Sequence, residues 1–531
     1  MGLNHAVSRP DEAPPNRDWV PPAILTLLYA AVVVWAAIHH EPWRDEVVPL
    51  SIARNARTLG ELTAPLKISG HPILWYLVLR AGYGLVGRTW ILKAASLTSA
   101  IGAIFLFTRS PLRWWLRALF VFSFFPLYQY SVVSRGYSLE MLLLFGFCAL
   151  YPRRHRHPLG LALVLVALAN TEAFGFIMAV AAAVMLVADG LTNAVDWRAL
   201  VSDRWVRAAA VVYLVGLTVA AITTIPAPAH TLSGVRNLEL ASVAAGVGRA
   251  IAQPVGHAAA FAALPIPWSS RAFLPVPSVF VWGYFVYLAW NLPVLCFTAI
   301  SLVGIEVLFN VVYGPGAPWH VGNLMLVLVA AMWLDASTVD RGRRAGGRLA
   351  CARIWLGRVL TVAVTAVLAG QVLLAVTYIR TDIQYDYSSN RRLAELLESD
   401  PTLADAVVMG EPDTPLSSLS YYADNRTYLA REGKFAAWGN FLPPRQTTYD
   451  LGALLRSARR VHDECGCPVV ITLGLYGVPP GTYANFAGTV IEEQFVITAE
   501  ARAEFLAATE LLAQFRGPTM TDERYDVYVL R

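Results

Sequence analysis

Charge is what this sequence has little of. Only 15% of its 531 residues are charged, 56% are hydrophobic, and the mean hydropathy is +0.49. A soluble domain carries about 25% charged residues, so the balance points to a polytopic membrane protein. Lysine is nearly missing. It occurs only at Lys67, Lys93 and Lys434, and arginine carries the rest of the positive charge, a bias attributed to genomic composition. Cysteine is scarce, with five in all. Cys148, Cys296 and Cys351 lie in or beside apolar runs and read as small buried hydrophobes. Cys465 and Cys467 are too few for a structural zinc site but suit a tight disulfide if their region lies outside the cytoplasm. No Gly-x-Gly-x-x-Gly and no P-loop sequence occur, so a cytoplasmic nucleotide site has no support. No internal repeat is visible, and no small-residue cleavage site precedes Glu41. The apolar run from Pro21 to Ile38 is therefore read as a retained signal-anchor.

What is present is a succession of apolar runs separated by arginine-rich or polar breaks. The basic segments 109–117, 153–157, 198–207 and 341–353 belong in the cytoplasm by the positive-inside rule. Residues 134–137, 170–172, 226–276 and 314–320 then fall outside, as does the loop after the first span. The predicted domains are a cytoplasmic tail over 1–20, a transmembrane domain over 21–379 with external loops 39–70 and 226–276, and an extracytoplasmic domain over 380–531. The fold class is a polytopic α-helical membrane protein of about 11–13 transmembrane helices, followed by a C-terminal α/β domain of alternating helices and strands. Residues 71–108 hold two apolar stretches yet must cross an odd number of times. One of them is expected to be a partial or interfacial helix, and His71-Pro72-Ile73-Leu74-Trp75-Tyr76 is the candidate start. Val47 to Leu59 is expected to be an interfacial helix with Arg54 and Arg57 on its polar side.

The polar groups with chemical potential gather on the external side: Arg44, Asp45, Glu46, His71, Arg135, Tyr137, Glu172, His230, His257 and His320. A carboxylate beside hydrocarbon is costly unless it is solvated, paired or used. Taken singly, each residue has an ordinary reading as a snorkelling anchor or a capping side chain. Their common side is what points to a site.

Four segments resemble the GT-C superfamily of membrane glycosyltransferases, which use polyprenyl-phosphate sugars, and are similar to protein O-mannosyltransferases and lipid A aminoarabinose transferases. Arg44-Asp45-Glu46 opens the first external loop. His71-Pro72-Ile73-Leu74-Trp75-Tyr76-Leu77 resembles the start of the family's next helix. Ser134-Arg135-Gly136-Tyr137 resembles its Arg-x-Tyr segment, and Trp319-His320-Val321-Gly322 begins a late span. Two features depart from the pattern. Ser69-Gly70-His71 stands where a lysine often does, with Lys67 further upstream, and no second acidic residue lies in the Arg135 segment before Glu140.

The resemblance implies a GT-C-like fold and inverting transfer of a sugar from a polyprenyl-phosphate donor to a glycan, lipid or protein acceptor, on the extracytoplasmic face of a bacterial inner membrane. It implies Asp45 as general base, with Glu46 beside it among the catalytic residues. His71, Arg135 and His320 would hold the donor phosphate, while Tyr137 and Glu172 would bind the sugar or acceptor. No cofactor is expected, since no dense cluster of metal-ligating carboxylates supports a divalent metal, and no nucleic-acid partner is expected. The alternatives are a transporter or lipid flippase and a non-catalytic envelope-assembly scaffold. Gathered charges and the absence of repeats weigh against the carrier.

Overall fold

The computed structural model describes residues 21–193, 197–224, 240–256, 275–313, 318–338, 348–439, 445–484, 493–517 and 519–531. His230, His257 and the predicted tail 1–20 lie outside these residues. Among the described residues, six helices are long and apolar enough to cross a membrane, from Pro22–His39 to the 34 residues Cys351–Gln384, and shorter apolar helices pack among them.

Side-chain contacts sort the helix ends into two groups. At one end, Thr26 meets Thr108, Arg154 pairs with Asp189, and Asn291 bonds Asp335. At the other end lie His40, Glu46, Ser134, Arg135 and Asp382, joined by hydrogen bonds and ion pairs. The arginine-rich segments 109–117 and 153–157 belong to the first end. That is the division the positive-inside rule requires.

The helix Leu74–Val86 is short. At about 1.5 Å per residue its 13 residues reach only about 20 Å, short of a hydrocarbon core of about 30 Å. Both of its flanks stay near Asp45. The Leu74 N–H bonds Asn170 O, and beyond its far end Lys93 bonds the carbonyls of Ala37 and His40. Ile91–Phe107 runs from this side to Thr108, which meets Thr26 at the other end of the bundle.

The loop helix spans Arg44–Asn55 rather than starting at Val47. Asp45 and Glu46 occupy its first turn, where the helix dipole favours anions. Glu46 also accepts from the Trp43 N–H, as in a capping box. This helix does not lie open on a membrane surface. Its apolar residues Val47, Leu50 and Ile52 pack with Trp75, Tyr76 and Leu79, and Arg54 and Ser51 bond Ser420 of the C-terminal domain.

The C-terminal domain contains a four-stranded sheet in the order Val407–Glu411, Val469–Leu473, Tyr525–Leu530, Glu510–Phe515, with the first pair parallel and the others antiparallel. Alternate residues feed two cores. Val407, Met409 and Ile471 face the Leu451–Cys465 helix, and Val408, Val470 and Val527 face the Asn390–Ser399 helix. A helix over Ala499–Ala508 is followed directly by an edge strand over Glu510–Phe515. Cys465 and Cys467 form a disulfide. The last long helix runs on to Gln384, past the predicted start of the C-terminal domain at 380, and so delivers Asp382 to the bundle end that holds Asp45.

Candidate active site

Five helix starts meet at this end: Arg44–Asn55, Leu74–Val86, Tyr137–Leu150, Ala173–Thr192 and Pro318–Ala336. Each carries one or two of the predicted residues at or just before its first turn. Helix N-termini present unsatisfied N–H groups and partial positive charge, so their convergence favours an anion.

Asp45 is the accessible carboxylate, with its side chain 32% exposed. Arg135 Nη1 lies 3.3 Å from its Oδ2, and Arg44 Nε lies 3.7 Å from its Oδ1. The guanidinium of Arg135 sits over Tyr137 at 5.3 Å and over Trp319 at 5.1 Å. Burial opposes its charge, but Tyr137 and the carboxylates of Asp45, Glu172 and Glu46 hold its pKa above the ordinary arginine value. Arg135 is thus a fixed cation in a largely dry setting, where its field is strong.

Glu172 is among the carboxylates whose charge acts on Arg135, and His71 Nε2 is 3.6 Å from its Oε2. Burial raises the Glu172 pKa, and His71 and Arg135 pull it back. Gly136 is what lets Glu172 come so close. A Cβ there would stand 2.7 Å from Glu172 Oε1. The His320 ring lies 6.4 Å from Tyr137 and 5.3 Å from Phe174 between centroids. All seven predicted residues, Asp45, Glu46, His71, Arg135, Tyr137, Glu172 and His320, therefore belong to one connected cluster.

Glu46 has a different setting from its neighbour. It is fully buried, and it accepts from His40 Nε2 at 2.9 Å, Trp43 N at 3.3 Å and Ser134 N at 2.5 Å. It ties the loop that carries Arg135 to the helix that carries Asp45. The sequence reading missed the rest of this anchor. His40 Nδ1 bonds Asp382 Oδ2 at 2.8 Å, and Tyr128 donates to the same oxygen at 2.9 Å. Burial works against the His40 proton, but Asp382 and Glu46 on its two nitrogens push its pKa up to about 10. A histidine next to the flagged carboxylates, and an aspartate ending an apolar run, were the available signals.

The C-terminal domain closes one side. Tyr387 and Ser388 N–H groups bond Glu41 at 3.1 and 3.3 Å, Tyr422 OH bonds Pro42 O at 2.8 Å, and Arg44 N bonds Glu523 at 2.9 Å. Among the described residues, no three His, Cys, Asp or Glu side chains gather to hold a metal ion.

No protein-family model matches the chain, and no curated protein matches it. Among solved structures it is similar to ArnT from Cupriavidus metallidurans bound to undecaprenyl phosphate, at 14% identity and a TM-score of 0.48 over 96% of this chain and 97% of that one. The same protein in the apo state gives 14% and 0.48 over 96% and 98%. The arabinofuranosyltransferase AftD from Mycobacteria gives 15% and 0.34, covering 96% of this chain and 40% of that one.

Proposed function

We propose that the protein is an inverting glycosyltransferase that takes a sugar from a polyprenyl phosphate at the membrane face where Asp45 lies. The observation that carries this reading is the juxtaposition of one accessible carboxylate, Asp45, with a largely covered arginine 3.3 Å away, at a meeting point of helix N-termini. A group transfer from a lipid phosphate needs those two functions. A base takes the proton of the acceptor hydroxyl as its oxygen attacks the anomeric carbon. The bond from that carbon to the phosphate oxygen breaks, and the lipid phosphate leaves as an anion. Fixed cations and helix N-termini stabilise the departing charge.

Asp45 is the base, and Arg135 takes the phosphate with the forked geometry of a guanidinium. His71 and His320 flank it. Tyr137 and Glu172 line the sugar side. Glu46 positions Asp45 and Arg135 relative to one another. The disulfide supports an oxidising, extracytoplasmic setting for the C-terminal domain and the face it covers.

The test is binding of undecaprenyl phosphate to the full-length protein in nanodiscs. A charged hydrogen bond is worth about 1.5–3 kcal/mol, so Arg135→Ala should weaken binding roughly 10- to 100-fold. A photoactivatable analogue should label the peptides around Arg135 and His320. Unchanged affinity in the variant, or labelling confined to the opposite end of the bundle, would overturn the reading.

A further inference from the structure

The turn at Asp522 and Glu523 reaches Arg44 across 479 residues of sequence. Glu523 Oε1 accepts the backbone N–H of Arg44 at 2.9 Å. Its Oε2 accepts the hydroxyl of Ser418 at 3.0 Å, Asn390 Nδ2 at 3.1 Å and the hydroxyl of Ser388. Tyr525 OH in turn holds Asn390 Oδ1 at 2.9 Å. Glu523 is fully buried, and three side chains of its own domain fix it in place. It therefore does not follow a moving partner. The partner is fixed by it.

Arg44 is the first residue of the helix that carries Asp45. Its N–H belongs to the group that a helix start leaves without a helical acceptor. Here a carboxylate of another domain takes it. The side chain of the same residue is held as well. Arg44 Nη1 lies 2.5 Å from Asp522 Oδ1, while its Nε stays 3.7 Å from Asp45 Oδ1. Asp522 therefore draws the guanidinium to the side. Asp45 and Asp522 thus share this guanidinium, and its closer contact is to Asp522.

We propose that Asp522 and Glu523 are positioning residues of the catalytic site, through which the C-terminal domain pins the start of the Asp45 helix and keeps Arg44 off the base. The proposal rests on the reading of Asp45 as the base. Glu523 sets where Asp45 stands, and Asp522 sets how free its carboxylate is. The C-terminal domain is then a working part of the transferase rather than a separate binding module.

Two measurements on the full-length protein test it. In the first, turnover is followed with undecaprenyl-phosphate-linked mannose and, in parallel, undecaprenyl-phosphate-linked arabinose. Asp522→Ala should lower kcat on the order of tenfold with KM for the lipid unchanged, and adding Arg44→Gln should restore part of the loss, because the freed cation is gone. Arg459→Ala, at an exposed pair with Glu504 in the same domain, is the control. Wild-type turnover that Asp522→Ala leaves unchanged, or a loss that Arg44→Gln only deepens, overturns the proposal and leaves the transferase reading standing. No turnover of either donor by the wild-type chain counts against the transferase reading instead.

The second measurement needs no donor. Backbone amide exchange in the peptide 41–50 should quicken on the order of tenfold in Glu523→Gln, while peptides of the Leu451–Cys465 helix stay protected. Unchanged exchange in 41–50 overturns the clamp whatever the chemistry proves to be.

Discussion

Asp45 and Glu46 are adjacent in sequence but about 100° apart around their helix. That rotation sends one carboxylate into a dry anchor and leaves the other a third exposed. The two should therefore respond differently to the loss of a charge. Asp45→Asn keeps the shape and removes the proposed base, so turnover should fall on the order of 10²- to 10⁴-fold with the thermal midpoint unchanged. Glu46→Gln replaces an acceptor of three hydrogen bonds, and the unsatisfied donors should cost about 1–3 kcal/mol of stability, read as a lower unfolding midpoint. The opposite pattern, a stable but inactive Glu46→Gln beside an active Asp45→Asn, would reverse the two roles. The resemblance singled out Asp45 as the base and placed Glu46 beside it among the catalytic residues, but adjacency carries no information about which face of a helix will be covered, so the burial of Glu46 was not legible. His40 was equally hidden. Its role depends on Asp382, 342 residues away, and no local pattern links them.

At the scale of elements, most of the bundle was legible. Apolar runs and arginine-rich breaks follow from the bilayer, and the bilayer leaves few options. The two apolar stretches of 71–108 were legible as two helices, Leu74–Val86 and Ile91–Phe107, both shorter than the six long apolar ones. Less legible were the close approaches between helices. Gly322, on the helix of His320, faces the irregular turn over Phe125–Gln129. A Cβ there would stand 2.3 Å from both Phe125 Cδ1 and Tyr130 OH. Neither neighbour is the far end of a free side chain, since both are buried and Tyr130 OH donates to Trp319 O at 2.6 Å. Gly322→Ala should force the helix outward. Overpacking of this kind costs about 1–3 kcal/mol, and the shift would carry Trp319 away from Arg135. The expected result is a lower unfolding midpoint together with weaker binding of undecaprenyl phosphate. A variant that loses neither would show that the helix has room to move.

For the whole molecule, the alternation of strands and helices announced an α/β domain, but not that its charged residues would be its most buried links. Arg431 pairs with Glu411 at 2.7 Å and Arg445 with Asp413 at 2.8 Å, all essentially without solvent contact. Composition places such residues on the surface, so burial of this kind emerges only with the fold. Glu523 extends the same pattern across the domain boundary. Burial raises its pKa from 4.5 to about 7, while the donors from Ser388, Arg44 and Ser418 pull it back. A carboxyl whose folded-state pKa is raised binds its proton more tightly folded than unfolded. Its contribution to stability is complete below about pH 4.5 and is lost as the pH rises through about 7. Glu523→Gln cannot ionise and removes that dependence. The unfolding midpoint of the wild-type chain, followed by tryptophan fluorescence in detergent, should therefore fall relative to the variant between pH 4.5 and pH 7 and run parallel to it above that window. A flat difference would mean that the carboxyl titrates alike in the folded and unfolded chain and would overturn the prediction, whereas one that grows in favour of the wild type as the pH rises would mean that the fold holds Glu523 ionised. Its grip on Arg44 would then be that of a full charge, and the joint between the two domains would tighten rather than loosen as the pH rises.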